Sequence, residues 1–262
     1  MAANLPPDVG SLKVWTERDG ALLRLRLARP KANIVDAAMI GALQMAIDAH
    51  RGNIALRGAV LDAEGPHFSF GASVEEHLPA NCAAMLASLH ALLLSMIEWP
   101  LPILVAVKGQ CLGGGLELAL GGSLIFAADD AKLGQPEIQL GVFAPAASCL
   151  LPPRIGQAAA EDLLFSGRSV ATDEALRLGL VNFVAADAEA AALAYFDQHL
   201  AGRSASSLAC AVTAARGGYL PEVRRRIAEV ERLYLNRLMQ TRDANEGLAA
   251  FIAKRPPQWE HQ

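Results

Sequence analysis

Residues 103–141 constrain this chain more than any other stretch. Ile103-Leu104-Val105-Ala106-Val107 is an uninterrupted apolar run of the length of a buried strand. It leads through Lys108-Gly109-Gln110-Cys111-Leu112 to three glycines, Gly113-Gly114-Gly115, and Leu116-Glu117-Leu118-Ala119-Leu120 reads as the helix that starts there. Leu124-Ile125-Phe126 supplies a further strand, and the stretch closes on Gly134-Gln135-Pro136-Glu137-Ile138-Gln139-Leu140-Gly141. Two glutamates in otherwise apolar surroundings, each beside glycines, point to chemistry rather than scaffolding.

The flanking chain fits an α/β fold. Residues 12–16 and 22–27 alternate apolar and polar around Asp19-Gly20, which predicts a hairpin. In its second strand Leu23, Leu25 and Leu27 face one way, and Arg24 and Arg26 the other. Asp36 is placed to cap a helix with Met39, Ile40, Leu43 and Ile47 on one stripe. Residues 58–61 read as a short strand, and residues 65–73 as a loop with a second glycine turn at Gly71. Leu86, Leu89, Leu93, Met96 and Ile97 recur at helical spacing until Trp99-Pro100 ends the helix. Thr172 is expected to cap a helix closed by Gly179, with a strand returning over 181–184. From about Ala186 the pattern is helical, including an amphipathic run over 223–239 with Ile227, Val230, Leu233, Tyr234 and Leu238 on one face, and another helix over 243–253. The expected organisation is an α/β core over 1–200 with an α-helical C-terminal region over 201–262.

Composition removes several functions. The chain is 53% hydrophobic and carries a net charge of −4 with no basic block, so nucleic acid is not expected as a partner. Cys82, Cys111, Cys149 and Cys210 follow no metal-ligand spacing, and the histidines are scattered, so no metal site is expected and a reducing, cytoplasmic compartment fits. Residues 1–7 lack a signal-peptide pattern. The most apolar run, 86–97, is broken by His90 and followed by Pro100, so no membrane span is expected.

A strand, glycines and a helix can bind phosphate, stabilise an oxyanion, or merely pack closely. Phosphate binding fails on spacing. A Walker loop would need Gly-Lys where Gly114-Gly115 stands, and a dinucleotide fingerprint would need glycine at Leu118. Glu117 would also repel a phosphate seated on the helix start. An oxyanion hole uses backbone N–H groups that glycine lets a ligand approach, and Gly71-Ala72 is the candidate second donor. Close packing alone also fits the glycines. Glu137, another carboxylate in an apolar context, moves the balance to catalysis, because a desolvated carboxyl can exchange a proton near neutrality.

Four motifs together resemble the enoyl-CoA hydratase/isomerase (crotonase) superfamily over nearly the whole chain. They are Phe68-Ser69-Phe70-Gly71-Ala72, Gly113-Gly114-Gly115-Leu116-Glu117-Leu118-Ala119, residues 134–141, and Glu246-Gly247-Leu248-Ala249-Ala250-Phe251 with Lys254-Arg255-Pro256-Pro257. The resemblance implies a crotonase-like spiral of repeated ββα units with an α-helical C-terminal trimerisation region, assembling as a homotrimer or hexamer. It implies an acyl-CoA thioester substrate and no cofactor beyond the coenzyme A carried by that substrate. Ala72 and Gly114 would hold the thioester oxygen, Glu137 would supply a proton, and Glu117 would hold and activate water. Lys31, Ala32, Ile34, Ala72, Ser73, Val74, Glu75, Gly114, Phe143 and Lys254 would contact substrate or its CoA portion.

Three departures refine the expectation. Phe143-Ala144-Pro145-Ala146-Ala147-Ser148 stands where straight-chain hydratases carry a glycine-rich run, which would fill the pocket wall. Ala32-Asn33-Ile34-Val35-Asp36 replaces the usual Ala-Leu-Asn-Ala-Leu, and Ser73 replaces an aspartate. Together they resemble the alicyclic branch, which hydrates a cyclohexa-1,5-diene-1-carbonyl thioester. A general short-chain enoyl-CoA hydratase and a non-catalytic CoA- or RNA-binding relative are the alternatives.

Overall fold

The computed structural model describes residues 8–262, so the N-terminal stretch 1–7 and the signal-peptide expectation placed on it lie outside the described residues. Strand β1 (Asp8–Val9) pairs antiparallel with β2 (Leu12–Glu17), which forms the expected hairpin with β3 (Leu22–Leu27), Leu12 facing Leu27 and Glu17 facing Leu22. Helix α1 (Ala37–His50) follows, and its start is fixed by Asp36, whose Oδ1 accepts from the Met39 N–H at 3.0 Å. Strand β4 (Gly58–Ala63) leads through a loop to α2 (Cys82–Glu98), and β5 (Ile103–Val107) and β6 (Gln110–Leu112) lead to α3 (Gly114–Leu120). Strands β7 (Leu124–Ala128) and β8 (Lys132–Gly134) lead through a 3₁₀ turn (Pro136–Leu140) to α4 (Pro145–Ile155) and α5 (Gln157–Ser166). Strand β9 (Ser169–Ala171), α6 (Thr172–Leu178) and β10 (Phe183–Ala185) complete the sheets, and α7 (Ala188–Tyr195), α8 (Ala205–Arg216), α9 (Tyr219–Asn236) and α10 (Arg242–Ile252) follow.

The main sheet has the order β1-β2-β3-β4-β5-β7-β10, parallel from β3 onward. Its central strands are buried along their whole length, as parallel strands covered on both faces must be. A second, smaller layer pairs β6, β8 and β9, and single bridges extend it through Ser69↔Cys111 and Val35↔Ala72. Each main-sheet strand from β3 to β7 thus hands the chain to a short strand of the second layer and then to a helix: β3 to residue 35 to α1, β4 to residues 69–72 to α2, β5 to β6 to α3, and β7 to β8 to α4. This repetition of ββα is the fold the motifs implied. Its consequence for function is that both glycine turns, at Gly71 and Gly113, lie side by side in the second layer.

The alternation of β3 is borne out, with a refinement. Leu23, Leu25 and Leu27 enter the main core, while Arg24 and Arg26 sit beneath α7, paired with Asp62 of β4 and Glu189 of α7. Burial of the Arg24 guanidinium, and partial burial of Arg26, is tolerated because each has carboxylate partners. Thr172 does not cap α6. It is the first helical residue, and its hydroxyl donates to Asp129 O at 3.3 Å, so a threonine at a helix start need not be the capping residue. The return strand is shorter and later than expected, Phe183–Ala185, because Asn182 spends its side chain accepting from the Ile125 N–H and its own N–H donating to Ile125 O. Val223 and Ile227 of α9 belong to the main core, so the helical region packs onto the α/β layers. Leu233, expected on the buried face, is exposed.

Candidate active site

A pocket opens where the second layer meets α2, α3 and α10. Its walls are Phe70, Gly71, Ala72, Val74 and His77 after β4, Met85, Leu86 and Leu89 of α2, and Leu112, Gly113, Gly114 and Glu117 at the entry to α3. Pro136, Glu137, Gln139, Leu140 and Val142 close one side, and Leu248 and Phe251 of α10 reach over it. A second cavity, between the start of β5 and α8, is lined mostly by apolar residues with Ser123, Arg154, Tyr195, Arg216 and Tyr219, and contains no carboxylate pair.

The two glycine turns do specific work here. Gly113 has φ +51°, and a Cβ on it would meet Glu137 Oε1 at 2.6 Å, so no side chain fits between α3 and that carboxyl. A Cβ on Gly114 would lie 2.9 Å from the Ala72 nitrogen, and one on Gly71 would lie 3.4 Å from the Gly114 nitrogen. The backbone N–H groups of Ala72 and Gly114 therefore stand next to each other. Gly114 is the first residue of α3, where an N–H has no intrahelical acceptor. Around them the frame is tight: Val35 N–H donates to Gly71 O at 2.9 Å, Gly71 N–H to Ser69 Oγ at 3.0 Å, and Ser69 Oγ to Asn33 O at 2.8 Å.

Glu117 is 4% exposed, and its Oε1 accepts from the Ala147 N–H at 2.8 Å. Ala147 is in the first turn of α4, where Pro145 takes the first helical position and the N–H groups that follow have no intrahelical acceptor. Residues 143–148 thus serve an end not foreseen from the sequence. Phe143 packs edge-on against Tyr234 at 5.3 Å rather than lining the pocket, and Ala144, Ala146 and Ala147 are buried behind it. Only the neighbouring Val142 reaches the pocket wall. Their backbone, more than their methyl groups, matters to the site.

Burial pushes the Glu117 carboxyl above its usual range, opposed by the N–H groups of Ala147 and Ala146 and by the charge of His90. Burial also pushes Glu137 up, to about 8, and the negative charge of Glu117 adds to it. Two nearby carboxyls cannot both ionise cheaply. The N–H donor from Ala147 favours the charged form of Glu117, and Glu137, pushed up to about 8, keeps its proton at neutral pH. Gln135, fully buried, holds Glu137 in place: with its amide nitrogen turned to the carboxyl, it donates to both oxygens at 3.0 and 3.1 Å.

The other residues singled out from sequence scatter around this centre. Ala32 O accepts from the Phe70 N–H at 2.9 Å and Ile34 is half-buried, so residues 32–35 run beside the Gly71 turn, while Lys31 is exposed. Val74 lines the pocket; Ser73 uses its carbonyl to bind His77 Nδ1 at 2.7 Å; Glu75 is exposed. Lys254 lies beyond the end of α10, exposed, with φ +53°. Sequence reasoning missed His77, Gln135 and Gln139. Gln135 and Gln139 lie inside a recognised motif, but nothing in a single sequence separates them from ordinary polar positions. Among the described residues no cluster of His, Cys, Asp or Glu could hold a metal ion.

A ββα spiral whose glycine turns present two N–H groups beside paired glutamates defines a class. The sequence pattern of the enoyl-CoA hydratase/isomerase family matches residues 17–262, and the chain belongs to that family. It is 63% identical over 251 residues to the cyclohexa-1,5-dienecarbonyl-CoA hydratase of Thauera aromatica, covering 96% of this chain and 97% of that one. It is 34% identical to a probable enoyl-CoA hydratase of Bacillus subtilis (strain 168), over 90% of this chain and 93% of that one. Among solved structures, an enoyl-CoA hydratase/isomerase from Pseudoalteromonas atlantica superposes with a TM-score of 0.84 at 28% identity, covering 95% of this chain and 99% of the other.

Proposed function

We propose that this protein is a hydratase that adds water across the diene of cyclohexa-1,5-diene-1-carbonyl-CoA, giving 6-hydroxycyclohex-1-ene-1-carbonyl-CoA. The observation that carries the reading is the carboxyl pair, one accepting a backbone N–H from the first turn of a helix and one pushed up to about 8, beside two neighbouring backbone N–H groups. The high identity to a relative that bears this activity in its name supports the acyl group.

The steps follow from the geometry. The N–H groups of Ala72 and Gly114 bind the thioester oxygen. Glu117 takes a proton from water as the oxygen bonds to the ring carbon β to the thioester. The electron pair moves through the α carbon onto the thioester oxygen, giving a dienolate whose negative charge the two N–H groups stabilise. Glu137 then delivers its proton to the far end of the diene, and the remaining double bond settles between the α carbon and the former second alkene. Coenzyme A enters as part of the substrate, so no separate cofactor is invoked. Residues 31–35 and 73–75, beside the Gly71 turn, and Lys254 would meet its CoA portion.

Comparing kcat/KM for the cyclic dienoyl-CoA with that for crotonyl-CoA tests the substrate. A preference of at least tenfold for the cyclic thioester is expected, and a preference for crotonyl-CoA would instead assign a general short-chain hydratase. The pH dependence tests the acid. A carboxyl whose pKa is raised to about 8 is the proton donor below that value and loses its proton above it, so kcat/KM for hydration should fall as pH rises through about 8.

The protein is further proposed to work as a trimer or a hexamer. Large apolar side chains such as Phe165, Leu176 and Phe183 are exposed on the single chain, and α8 buries no residue fully. Light scattering at micromolar concentration checks this. The cysteines are free, and no helix among the described residues is long and apolar enough to cross a membrane, which agrees with the proposed cytoplasmic location.

A further inference from the structure

Beyond α10 the chain turns back along the helix it has just left, and two carboxylates on that helix hold it there. Glu246 accepts from both terminal nitrogens of Arg255, at 2.5 and 2.8 Å, and from the Gln258 N–H at 2.9 Å. Asp243, three residues earlier on α10 and so on the same face, accepts from the Glu260 N–H at 2.7 Å and the His261 N–H at 2.8 Å. These are charge-assisted bonds to main chain on either side of Trp259, so the direction of its indole is set by the backbone that carries it.

The indole fills a slot that two glycines leave open. A Cβ on Gly141 would lie 3.0 Å from Cζ3 of Trp259 and 2.8 Å from Asp243 O. A Cβ on Gly247 would lie 2.9 Å from Cη2 of Trp259 and 2.1 Å from Leu140 O. Gly141 ends the 3₁₀ turn that carries Glu137, and Gly247 belongs to α10. The turn and the helix therefore meet main chain to main chain, and Trp259 is wedged against the seam. On their other sides both face the pocket, the turn with Glu137, Gln139 and Leu140 and the helix with Leu248 and Phe251. Trp259 is 39% exposed, so it stands at the outer edge of the wall that separates the carboxyls from solvent.

We infer that Trp259 is a positioning residue for the proton donor: wedged on the seam between Gly141 and Gly247, it holds α10 against the turn bearing Glu137 and keeps that carboxyl out of water. This rests on the hydration proposed above, in which Glu137 must carry a proton at neutral pH. Burial is the first cause of its raised pKa and the charge of Glu117 the second. Glu117 lies on α3, and Gln135, which also meets the carboxyl, is neutral, so neither belongs to α10 or to the segment folded along it. The charges on α10 and that segment are engaged with one another, Glu246 with Arg255, Arg242 with Glu260, and Asp243 with two N–H groups. Removing the indole therefore acts on the first cause. Water admitted along the seam stabilises the ionised carboxyl, and the pKa of Glu137 moves down towards its ordinary value.

The pH profile of kcat/KM tests this, because the midpoint of its alkaline limb does not depend on how much of a variant is folded. In Trp259→Ala the midpoint should fall by about one unit from its position near 8, so that kcat/KM drops about fivefold at pH 8 and stays within about twofold at pH 6. Gly247→Ala leaves the indole in place but drives a methyl group into Leu140 O, and should move the midpoint the same way. Neither substitution changes a charge, so the shift reports solvation. Trp259→Phe, which keeps a flat ring in the slot, should recover most of the loss. Equal losses at pH 6 and pH 8 with the midpoint unmoved, or a phenylalanine variant no better than the alanine one, would overturn the role of Trp259 while leaving hydration intact. Absence of hydrated product from the unaltered enzyme would overturn the hydration itself, and this inference with it.

Discussion

Glu137→Gln is expected to lower kcat for hydration at least tenfold while thioester affinity, measured by calorimetry, changes less than threefold. Glutamine keeps the shape of the carboxylic acid and can still meet the Gln135 amide, but it has no proton to give the diene. The loss therefore falls on the transition state rather than on binding. The same substitution should raise thermal stability. The Glu137 pKa in the fold is about 8 against an ordinary value of 4.5. A carboxyl with a raised folded pKa contributes its full stability below its ordinary pKa, and that contribution is lost as pH rises through the folded value. At pH 9 the native enzyme carries the cost of a buried, ionised Glu137, and the glutamine variant does not. Its advantage there should be on the order of a few kcal/mol and should vanish near pH 4. Calorimetric melting at the two pH values reads this directly. Near-normal turnover, or equal melting temperatures at pH 9, would sink the assignment of Glu137 as the protonated member of the pair.

Gly114→Ala should cost more activity than any other single methyl group in the molecule, about a hundredfold in kcat. The added Cβ would lie 2.9 Å from the Ala72 nitrogen and 3.0 Å from its Cβ, and both Ala72 and Gly114 belong to main chain that other hydrogen bonds hold in place. The two segments must part, and with them the N–H groups that take up the developing charge. Loss of one such donor typically costs 10²–10³ in kcat. Helix propensity runs the other way, since alanine in a helix is favoured over glycine by roughly 1 kcal/mol. A folded variant with ordinary melting and little turnover is therefore the expected outcome. A variant with normal kcat would show that Ala72 and Gly114 do not share the oxyanion.

The sequence and the structure agree most closely where local chemistry decides. The β2–β3 hairpin, the Asp36 cap and the buried strand Ile103–Val107 were legible because turn residues, a capping side chain and an apolar run act within a few residues of themselves. Thr172 shows the limit of that logic: its hydroxyl was free to bond a residue distant in sequence, and did. Phe143 shows another. A pocket-facing role was expected of its side chain, yet Tyr234, 91 residues later in the chain (234 − 143), offered the packing partner.

At the site itself, the sequence alone determined which residue types were present: two glutamates among apolar neighbours, and glycines where a strand meets a helix. It could also place Gly113 and Gly114 at a helix start, since backbone freedom is a property of the residue. Only the tertiary structure decided that Gly71 and Gly113 come together, because residues from separate ββα units meet through the second layer. It decided that Glu117 has a backbone donor favouring its charged form, because the N–H that holds it belongs to Ala147, 30 residues away. It also brought His90 to Glu231 across 141 residues. Electrostatic environment is a sum over neighbours in space, and those neighbours exist only once the layers have packed.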